Sequence, residues 1–307
     1  MTRGREKYFA GIDGGQSSTT AVVGDKSGHV IGRGVSGPAD EVGEDARSTR
    51  MHDALSGALD AARRDAGLPQ QTRFAAIVAG VSGYDGRARG KPPALPTERF
   101  VLVHDALVAH AGALAGKSGI VVIAGTGSIV YASDGTRTHT AGGWGFLFGD
   151  EGSAFWIVRE TLARLMHCED LQNGPDCSAE AREICSYFNV TSLRDVAHAF
   201  YDGTLSRERL ASFAPRVARF PVAAGLAEQG AAGLALLVHD AIAAGAPARV
   251  TCVGGMFADP EYYERVRSLI CGSGFSVEVI EPVYEAAVGG LLLAYEAAGA
   301  SSVTIAP

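Results

Sequence analysis

The sequence lacks several features that would each indicate a particular class of protein. Its 27 Lys and Arg residues are outnumbered by 34 Asp and Glu, for a net charge of −7, so it does not have the basic surface that nonspecific nucleic-acid binding needs. Its five cysteines include no Cys-x-x-Cys pair, which disfavours a zinc knuckle or a disulfide framework and suits a reducing compartment. No apolar run approaches the length of a membrane span, and the first residues lack the apolar segment of a signal peptide. We therefore expect a cytoplasmic protein that binds neither nucleic acid nor membranes.

Short motifs of several enzyme classes are also missing. The chain contains no Gly-x-x-x-x-Gly-Lys-Ser/Thr loop, which excludes the P-loop nucleoside triphosphatases, and no Gly-x-Ser-x-Gly nucleophile elbow. Its eight histidines are scattered, and no two have a metal-ligand spacing beside an acid, so we expect no zinc site. The segment from Gly11 to Gly15 leads into a strand rather than a helix, which disfavours a dinucleotide-binding fold.

Glycine, in contrast, is abundant. The 40 glycines are roughly twice the average usage, and they cluster at turns. Because glycine loses the most backbone entropy on folding, such clusters indicate tight turns or a ligand that lies against the backbone. The densest cluster runs from Ile120 to Ser153.

Hydrophobic patterning predicts an α/β fold built from a duplicated unit. In the first half, three short strands joined by tight turns precede alternating helices and strands, at 8–12, 19–24, 29–34, 44–66, 74–81, 100–104 and 106–115. The second half repeats this order with a long helical insertion, at 120–123, 129–133, 138–141, 152–239, 249–253, 260–271, 276–280 and 284–298. Hairpin-linked strands pair antiparallel, and the later alternation adds parallel strands covered by helices on both faces. We predict domains at 1–115 and 116–307, a ligand in the crevice between them, and a last helix that packs back on the first domain.

Two glycine-containing turns follow the first strand of each predicted half. Asp13 to Thr19 places a carboxylate at a strand end beside amides and hydroxyls that could hold phosphate and Mg²⁺, although Asp-Gly is also a common hairpin dipeptide. Gly125 to Ser128 offers the same phosphate-binding groups without the acid. Because the two turns occupy matching places in the two halves, together they predict a site for nucleotide phosphates.

Three further positions carry alternative interpretations. Asp105 lies between a strand and a helix, where it could cap the helix or act as a general base in phosphoryl transfer. In the loop of Gly142 and Gly143, Trp144 could stack on a sugar but is expected to pack in the core or at a hinge. Asp150 and Glu151 could favour a helix start by charge, or Asp150 could bind substrate hydroxyls while Glu151 supports the loop.

A third glycine pair, Gly254-Gly255, follows the strand at 249–253 and precedes Met256 and a helix near Pro260. It could form a platform for the adenine ring and ribose, or simply a turn that enters the helix.

These motifs, in this order, resemble the N-acetylglucosamine kinase group of the BadF/BadG/BcrA/BcrD ATPase family. The matching segments are GIDGGQSST, the strand end at Asp105, IAGTGS, GGWGFLFGDEGSAFW and VGGMF, of which the GGWG…GDEGSAFW block is the most specific. The resemblance implies two duplicated ribonuclease H-like, actin-like ATPase domains with mixed sheets and a cleft between them. It also implies transfer of the ATP γ-phosphoryl group to O6 of an amino sugar, N-acetylglucosamine or glucosamine, with Mg²⁺ as the metal. We also predict a homodimer.

The resemblance implies a role for each matched position. Asp105 is similar to the catalytic base, and Asp13 to the residue that holds the metal. The implied ATP contacts are Asp13, Gly14, Gly15, Ser17, Thr19, Gly125, Thr126, Gly127, Ser128, Gly254, Gly255 and Met256. The implied sugar contacts are Asp40, Asp105, Gly142, Gly143 and Asp150.

The sequence departs from the family pattern at two positions. Asp40 stands where the sugar kinases commonly carry an asparagine that touches the sugar, so the acceptor could be a cationic sugar such as free glucosamine, or a different compound. Gln16 replaces a third glycine of the first phosphate turn, which could change how phosphate approaches.

Three other functions remain as alternatives. The runner-up is a kinase of another hydroxyl compound. Activators of CoA dehydratases and reductases belong to the same family, but they hold an iron–sulfur cluster with cysteines, and the turn regions here contain none. A non-enzymatic sugar sensor would usually add a helix-turn-helix domain, for which the N-terminus has no room.

Overall fold

Two five-stranded sheets form the framework of the protein in this computed structural model, which describes residues 7–40, 45–171, 176–272, 274–300 and 303–305. The strands are β1 (Tyr8–Gly14), β2 (Thr19–Asp25), β3 (Val30–Ser36), β4 (Ala76–Val81), β5 (Phe100–His104), β6 (Gly119–Ala124), β7 (Ser128–Ser133), β8 (Thr138–Gly142), β9 (Arg249–Val253) and β10 (Glu278–Ile280). The helices are α1 (Arg50–Asp65), α2 (Asp105–Ala113), α3 (Ala154–Asp170), α4 (Ser178–Phe188), α5 (Leu193–Tyr201), α6 (Arg207–Ala211), α7 (Ala214–Val217), α8 (Leu226–Ala243), α9 (Pro260–Cys271) and α10 (Ala286–Ala297).

The two sheets share one strand order. The first runs β3-β2-β1-β4-β5 and the second β8-β7-β6-β9-β10, so the first three strands of each half lie side by side and two later strands extend the other edge. In the first sheet β1 pairs antiparallel with β2 and parallel with β4, and in the second β9 pairs parallel with β10. The predicted fold class, a duplicated α/β arrangement of mixed sheets flanked by helices, is confirmed.

The internal contacts of the chain define two compact units, and each unit is made of more than one stretch of the sequence. Unit 1 comprises 1–121, 133–137 and 281–307, and unit 2 comprises 122–132 and 138–280. The last helix, α10, packs in unit 1 against β1, β4 and α2. The predicted boundary between 115 and 116 stays a prediction.

Both faces of the first sheet are buried. On one face lies α1, whose buried Met51, Leu55 and Leu59 recur at helical spacing and contact strand residues such as Ile12. On the other face α10 approaches β1 so closely that a side chain at Gly11 would meet the backbone nitrogen of Leu291 at 2.0 Å. A glycine is therefore required at position 11 for the helix and the strand to pack, because any Cβ there would overlap the helix backbone.

Helix α1 is shorter than the sequence predicted. It begins at Arg50, whereas the prediction started it at Glu44, which lies outside the described residues. A turn precedes it, in which the Asp45 carboxylate accepts the backbone N–H of Arg47 at 2.8 Å. Such local side-chain bonds compete with helix formation and delay its start.

The expectation that no apolar run approaches the length of a membrane span was wrong for one stretch, which is long and apolar enough to cross a membrane by length and composition. It runs from Pro221 to Ala243, with a mean hydropathy of 1.4 in its most apolar window. Its residues Leu234 and Val238 on α8 are fully buried in the protein. Leu236 on the same helix is 59% exposed, so the helix is buried on one face only, and length and composition alone are weak evidence for a membrane span.

Candidate functional site

The first glycine turn closes between β1 and β2 in unit 1. The N–H of Gly15 donates to the carbonyl of Ser18 at 2.9 Å, and the carbonyl of Gly15 accepts the N–H of Ala39 at 3.0 Å. Ser17 is exposed, whereas Thr19 is buried and its hydroxyl donates to the carbonyl of Gly37 at 2.8 Å. Of the two predicted hydroxyl contacts in this turn, only that of Ser17 is therefore open to solvent here.

Asp13 lies near the end of β1, opposite Thr20 on one side and Gly80 on the other. Surrounding protein removes it from much of the solvent, and together with the negative charges of Asp105 and Glu285 this raises the pKa of its carboxyl to about 7. The side chain keeps partial solvent exposure, so a ligand can reach it.

The Asp13 carboxylate fits a magnesium ion as a single protein ligand. Among the described residues, no group of three or more His, Cys, Asp or Glu side chains is placed to hold a metal ion. Magnesium in nucleotide sites commonly keeps several waters and uses one or two carboxylates together with phosphate oxygens. A cation beside Asp13 would also offset the repulsion from Asp105 and Glu285.

Gln16 fills space at the first turn that a glycine would leave open. Its amide nitrogen lies 3.5 Å from the hydroxyl of Ser82 on the segment after β4, and its amide oxygen is buried with no hydrogen-bond partner among the described residues. A buried polar atom without a partner carries a desolvation cost, so this oxygen is suited to a donor that arrives with a ligand.

Asp40, the residue that replaces the family's asparagine, is buried and forms an ion pair. Only 5% of it is exposed, and its carboxylate accepts a hydrogen bond from Arg50 Nη1 at 2.9 Å. The guanidinium of Arg50, which opens α1, remains partly exposed. The negative charge that the sequence places at this position is therefore partly compensated by a cation that sequence reasoning missed.

Asp105 is the first residue of α2 and follows directly on β5. The alternative in which Asp105 caps this helix was wrong. The N-cap of α2 is His104, whose Nδ1 accepts the N–H of Ala106 at 3.1 Å. The same Nδ1 lies 2.8 Å from an oxygen of Asp105, and this contact raises the pKa of His104. One ring nitrogen cannot accept from Ala106 and donate to Asp105 together, so which of the two hydrogen bonds forms depends on whether Nδ1 carries a hydrogen. The Asp105 carboxylate itself is free of the capping role.

The second glycine turn, Gly125 to Ser128, is tied to the start of α3 within unit 2. The carbonyl of Gly125 accepts the N–H of Ala154 at 2.9 Å, and the hydroxyl of Ser128 donates to the carbonyl of Glu151 at 2.8 Å. Helix α3 itself is capped by Ser153, whose hydroxyl accepts the N–H of Trp156 at 3.2 Å. The Gly-Asp-Glu-Gly-Ser segment thus supports the turn, which accounts for these two motifs occurring together.

Asp150 lies at the junction of these two segments. It is 4% exposed, and one of its oxygens accepts the N–H of Ser128 at 3.2 Å. The other oxygen accepts from Nη2 of Arg207, a residue of α6, at 2.9 Å. Burial raises the pKa of Asp150, while Arg207 and the Ser128 amide oppose that rise.

The loop after β8 presents apolar side chains to solvent. Gly142 and Gly143 adopt positive φ angles of 71° and 70°, and beyond them Trp144 is 77% exposed and Phe148 81% exposed. The expectation that Trp144 packs in the core was wrong, because its side chain follows two left-handed glycines and is largely exposed, and its packing at a hinge stays a prediction. The indole is therefore available to stack on a ligand or a partner.

Gly254 and Gly255 form the turn between β9 and α9. Gly254 adopts φ 113°, and residues Gly255–Ala258, including Met256, make one turn of 3-10 helix before α9 begins at Pro260. A side chain at Gly254 would meet the carbonyl oxygen of Ala124, at the end of β6, at 2.3 Å. The segment thus is a turn that enters a helix, and it also brings glycine backbone against the strand end that precedes the second glycine turn.

Gly254→Ala is expected to destabilise the protein by about 2 kcal/mol or more, because left-handed backbone strain and overlap with Ala124 add together. Gly245→Ala is the matched control, since Gly245 also has a positive φ, 96°, but a side chain there meets nothing within 4 Å. Urea unfolding of both variants separates the two effects. Equal losses in the two variants would show that the contact with Ala124 contributes nothing.

Sequence reasoning missed the cations beside the predicted acids. Arg207 is 57 residues from Asp150, and no motif connects them. Arg50 lies 10 residues from Asp40, at the start of a helix that the prediction began too early. His104 is adjacent to Asp105, but the sequence pointed to the aspartate as the cap because aspartate, unlike histidine, is a preferred N-cap residue.

Comparison with known proteins gives a consistent set of relatives. The N-acetylmuramic acid/N-acetylglucosamine kinase of Clostridium acetobutylicum is 31% identical over 115 residues, which are 37% of each chain. The N-acetyl-D-glucosamine kinase of Dictyostelium discoideum is 28% identical over 226 residues, 68% of this chain and 70% of that protein. A crystal structure of a candidate N-acetylglucosamine kinase from Chromobacterium violaceum superposes with a TM-score of 0.75 at 25% identity, over 94% of this chain and 98% of the other.

The match to the Clostridium protein therefore spans little more than a third of its length. A family model covers far more of the chain, matching residues 10–294, which include both sheets and every predicted site residue. The chain belongs to the BadF/BadG/BcrA/BcrD ATPase family.

Proposed function

We propose that the protein is a kinase that transfers the γ-phosphoryl group of ATP to the 6-hydroxyl of an amino sugar, N-acetylglucosamine or glucosamine. The observation that carries the proposal is the duplicated sheet, in which the first and second strands of each half are joined by a glycine turn. Family membership and the named activities of the relatives support ATP as the donor and an amino sugar as the acceptor.

The proposed chemistry uses one general base and two phosphate turns. A carboxylate oxygen of Asp105 takes the proton from the sugar 6-hydroxyl while the sugar O6 forms a bond to the γ-phosphorus. The bond between the γ-phosphorus and the oxygen that bridges it to the β-phosphate breaks, which releases ADP. The turns at Gly14, Gly15 and Ser17 and at 125–128 hold phosphate oxygens through N–H and hydroxyl groups. Asp13 holds Mg²⁺, which supplies positive charge to the phosphates when bound.

The adenosine and the sugar are assigned to other glycine segments. Gly254, Gly255 and Met256 form the platform for adenosine. Gly142 and Gly143 let the sugar approach the backbone, and Asp150 accepts a sugar hydroxyl with the lone pairs that Ser128 and Arg207 leave free.

An ATP-consumption screen with Mg²⁺ over hexoses and amino sugars tests the proposal directly. We expect N-acetylglucosamine or glucosamine to stimulate ADP release most, and NMR of the product to place the phosphate on O6. If another hydroxyl compound stimulates ADP release and no amino sugar does, the runner-up function is correct and this proposal is not.

Asp40→Asn is expected to shift acceptor preference away from glucosamine toward N-acetylglucosamine by about tenfold at pH 7, where the free amine is protonated. The shift is limited because Arg50 already compensates part of the Asp40 charge. Arg50→Gln provides the matched test, since it frees the Asp40 charge and should move the ratio of kcat/KM values in the opposite direction. If the ratio is unchanged in both variants, Asp40 does not contact the amino group.

We further propose that the protein acts in the cytoplasm as a homodimer. The five cysteines form no disulfide within the described residues, which supports a reducing compartment, and the exposed apolar side chains of Trp144, Leu147 and Phe148 support an interface. Light scattering after size exclusion measures the oligomeric state.

A further inference from the structure

Arg207 is a nearly buried cation in a largely aromatic environment. Its side chain is 11% exposed, and its guanidinium carbon lies 5.3 Å from the ring centre of Phe146 and 5.8 Å from that of Phe155. Its Nε is buried and has no hydrogen-bond partner among the described residues. The ion pair with Asp150 is thus the polar contact that holds this guanidinium in place.

The Arg207–Asp150 pair also lies directly against the second glycine turn. A side chain at Gly127 would meet Nη2 of Arg207 at 2.5 Å and an oxygen of Asp150 at 2.9 Å, so the pair packs on the face of the turn that glycine leaves free. The next residue, Ser128, donates its N–H to Asp150. The guanidinium, the carboxylate and the turn amide therefore form one connected chain of contacts within unit 2.

Asp150 is held in a backbone conformation that side chains other than glycine rarely adopt. Its φ is 63°, in the left-handed region, where a residue needs support from its surroundings. The contacts of its carboxylate with Ser128 and Arg207 provide that support, because they fix the side chain at both oxygens.

We infer that Arg207 is a positioning residue for the kinase reaction: through Asp150 it sets the geometry of the phosphate turn and the carboxylate proposed to meet the sugar. The inference rests on the proposed function for the identity of the ligands. Arg207 itself touches neither ligand in this scheme. A carboxylate at Asp150 is the better acceptor for both the Ser128 amide and the Arg207 guanidinium, and Arg207 is the stronger of the two positive charges that favour this ionised form.

The charged groups that face Asp150 are Arg207, Arg159 and Glu151. Burial and Glu151 favour the protonated carboxyl, whereas Arg207 and the more weakly acting Arg159 oppose it. Removal of the Arg207 charge should therefore raise the pKa of Asp150 further, so that higher pH is needed to form the anion. A purely structural role for Arg207 would not move such a titration.

The test compares Arg207→Met, which removes the charge but leaves an unbranched apolar side chain beside Phe146 and Phe155, with Arg207→Lys, which keeps the charge, and with Asp150→Asn. ADP affinity is measured by calorimetry without acceptor, and kcat and KM for the amino sugar are measured from pH 5.5 to 9. For Arg207→Met we expect ADP affinity to fall about tenfold, acceptor kcat/KM to fall about 30-fold, and the acid limb of the profile to move to higher pH. Arg207→Lys should recover part of each loss.

The double variant carrying both Arg207→Met and Asp150→Asn distinguishes a coupled pair from two independent residues. If Arg207 acts through Asp150, the double variant should lose little more than the worse single variant. Multiplied losses, or an Arg207→Met variant that melts earlier but keeps ADP affinity, KM and pH profile, would overturn the inference.

Arg209→Met is the matched control, because Arg209 lies on the same short helix and stacks on Tyr187, away from the turn. Its ADP affinity and pH profile should equal those of the wild type. The ADP affinities measured by calorimetry also separate this inference from the proposed function. A wild-type protein that binds ADP but phosphorylates no amino sugar would refute the proposed acceptor and leave the inference about Arg207 standing. Unchanged ADP affinity in Arg207→Met refutes the inference.

Discussion

Replacement of Asp105 by asparagine should lower kcat for phosphoryl transfer by about 10²–10⁴-fold while ADP still binds. The amide has the shape of the carboxylate but cannot take the proton from the attacking hydroxyl, and general-base contributions are of this size. Because His104 rather than Asp105 caps α2, the substitution should leave the helix start intact. Single-turnover kinetics with a saturating amino sugar, together with ADP calorimetry, measure the two parts.

The matched control for this substitution is Asp53→Asn. Asp53 is an exposed aspartate in the first turn of α1, so its replacement repeats the loss of negative charge at a helix start without touching the site. It should leave kcat unchanged. Near-normal turnover in Asp105→Asn would remove Asp105 from the mechanism, and an equal loss in both variants would assign the effect to helix charge.

Asp105→Asn carries a second, independent readout. The Asp105 carboxylate contributes to the raised pKa of Asp13, so its neutralisation should lower the pKa of Asp13. Carboxyl titration of the metal-free protein by NMR follows this change. A pKa of Asp13 that does not respond would mean that burial and Glu285 account for its value without Asp105.

The hairpin pairing that opens each sheet could be predicted from the sequence, whereas the places of the later strands in the sheet order were not predicted. Strands such as β1 and β2, joined by a short turn, can pair only as an antiparallel hairpin. The repeat of that pattern from β6 onward then implied a second sheet of the same kind. The positions of the glycine turns followed, since each turn is fixed by the strand end before it.

Contacts between residues far apart in the sequence could not be predicted in the same way. The partner of Asp150 is a guanidinium on α6, a helix of a long insertion whose packing has no periodic signature. Exposure of Trp144 depends on two consecutive left-handed glycines, whereas its apolar side chain suggested burial. Side-chain partners and loop directions depend on tertiary packing, which local patterns do not encode.

Replacement of Asp13 by asparagine should stabilise the metal-free protein at pH 8 although it abolishes kinase activity. The pKa of Asp13 is raised from 3.8 to about 7, so the folded protein binds a proton more tightly than the unfolded chain does. The stability that this group contributes is therefore present at low pH and is lost as pH rises from about 4 to about 7. The corresponding free energy is at most roughly 4 kcal/mol, and partial exposure of the side chain reduces it.

The measurement is urea unfolding of wild type and Asp13→Asn in EDTA between pH 4.5 and pH 8. The free energies of unfolding should be similar at the acid end and should diverge in favour of the variant as pH rises. Asp25→Asn is the control with the opposite sign, because N–H groups of Ser27 and His29 outweigh burial and lower the pKa of Asp25. Removal of the Asp25 carboxylate in this variant should lower the free energy of unfolding at pH 8. An Asp13 variant that is less stable than wild type at pH 8 would contradict the argument.

Addition of Mg²⁺ and ADP at pH 8 should reverse this order. If Asp13 holds the metal, ligand binding stabilises the wild type by RT ln(1 + L/Kd), where L is the free ligand concentration, whereas the variant gains little. In the free protein the negative charge of Asp13 is repelled by those of Asp105 and Glu285. When nucleotide and metal are bound, the same negative charge on Asp13 attracts the cation. Equal stabilisation of both proteins by Mg²⁺ and ADP would show that the metal lies elsewhere, and the raised pKa of Asp13 would then have no part in metal binding.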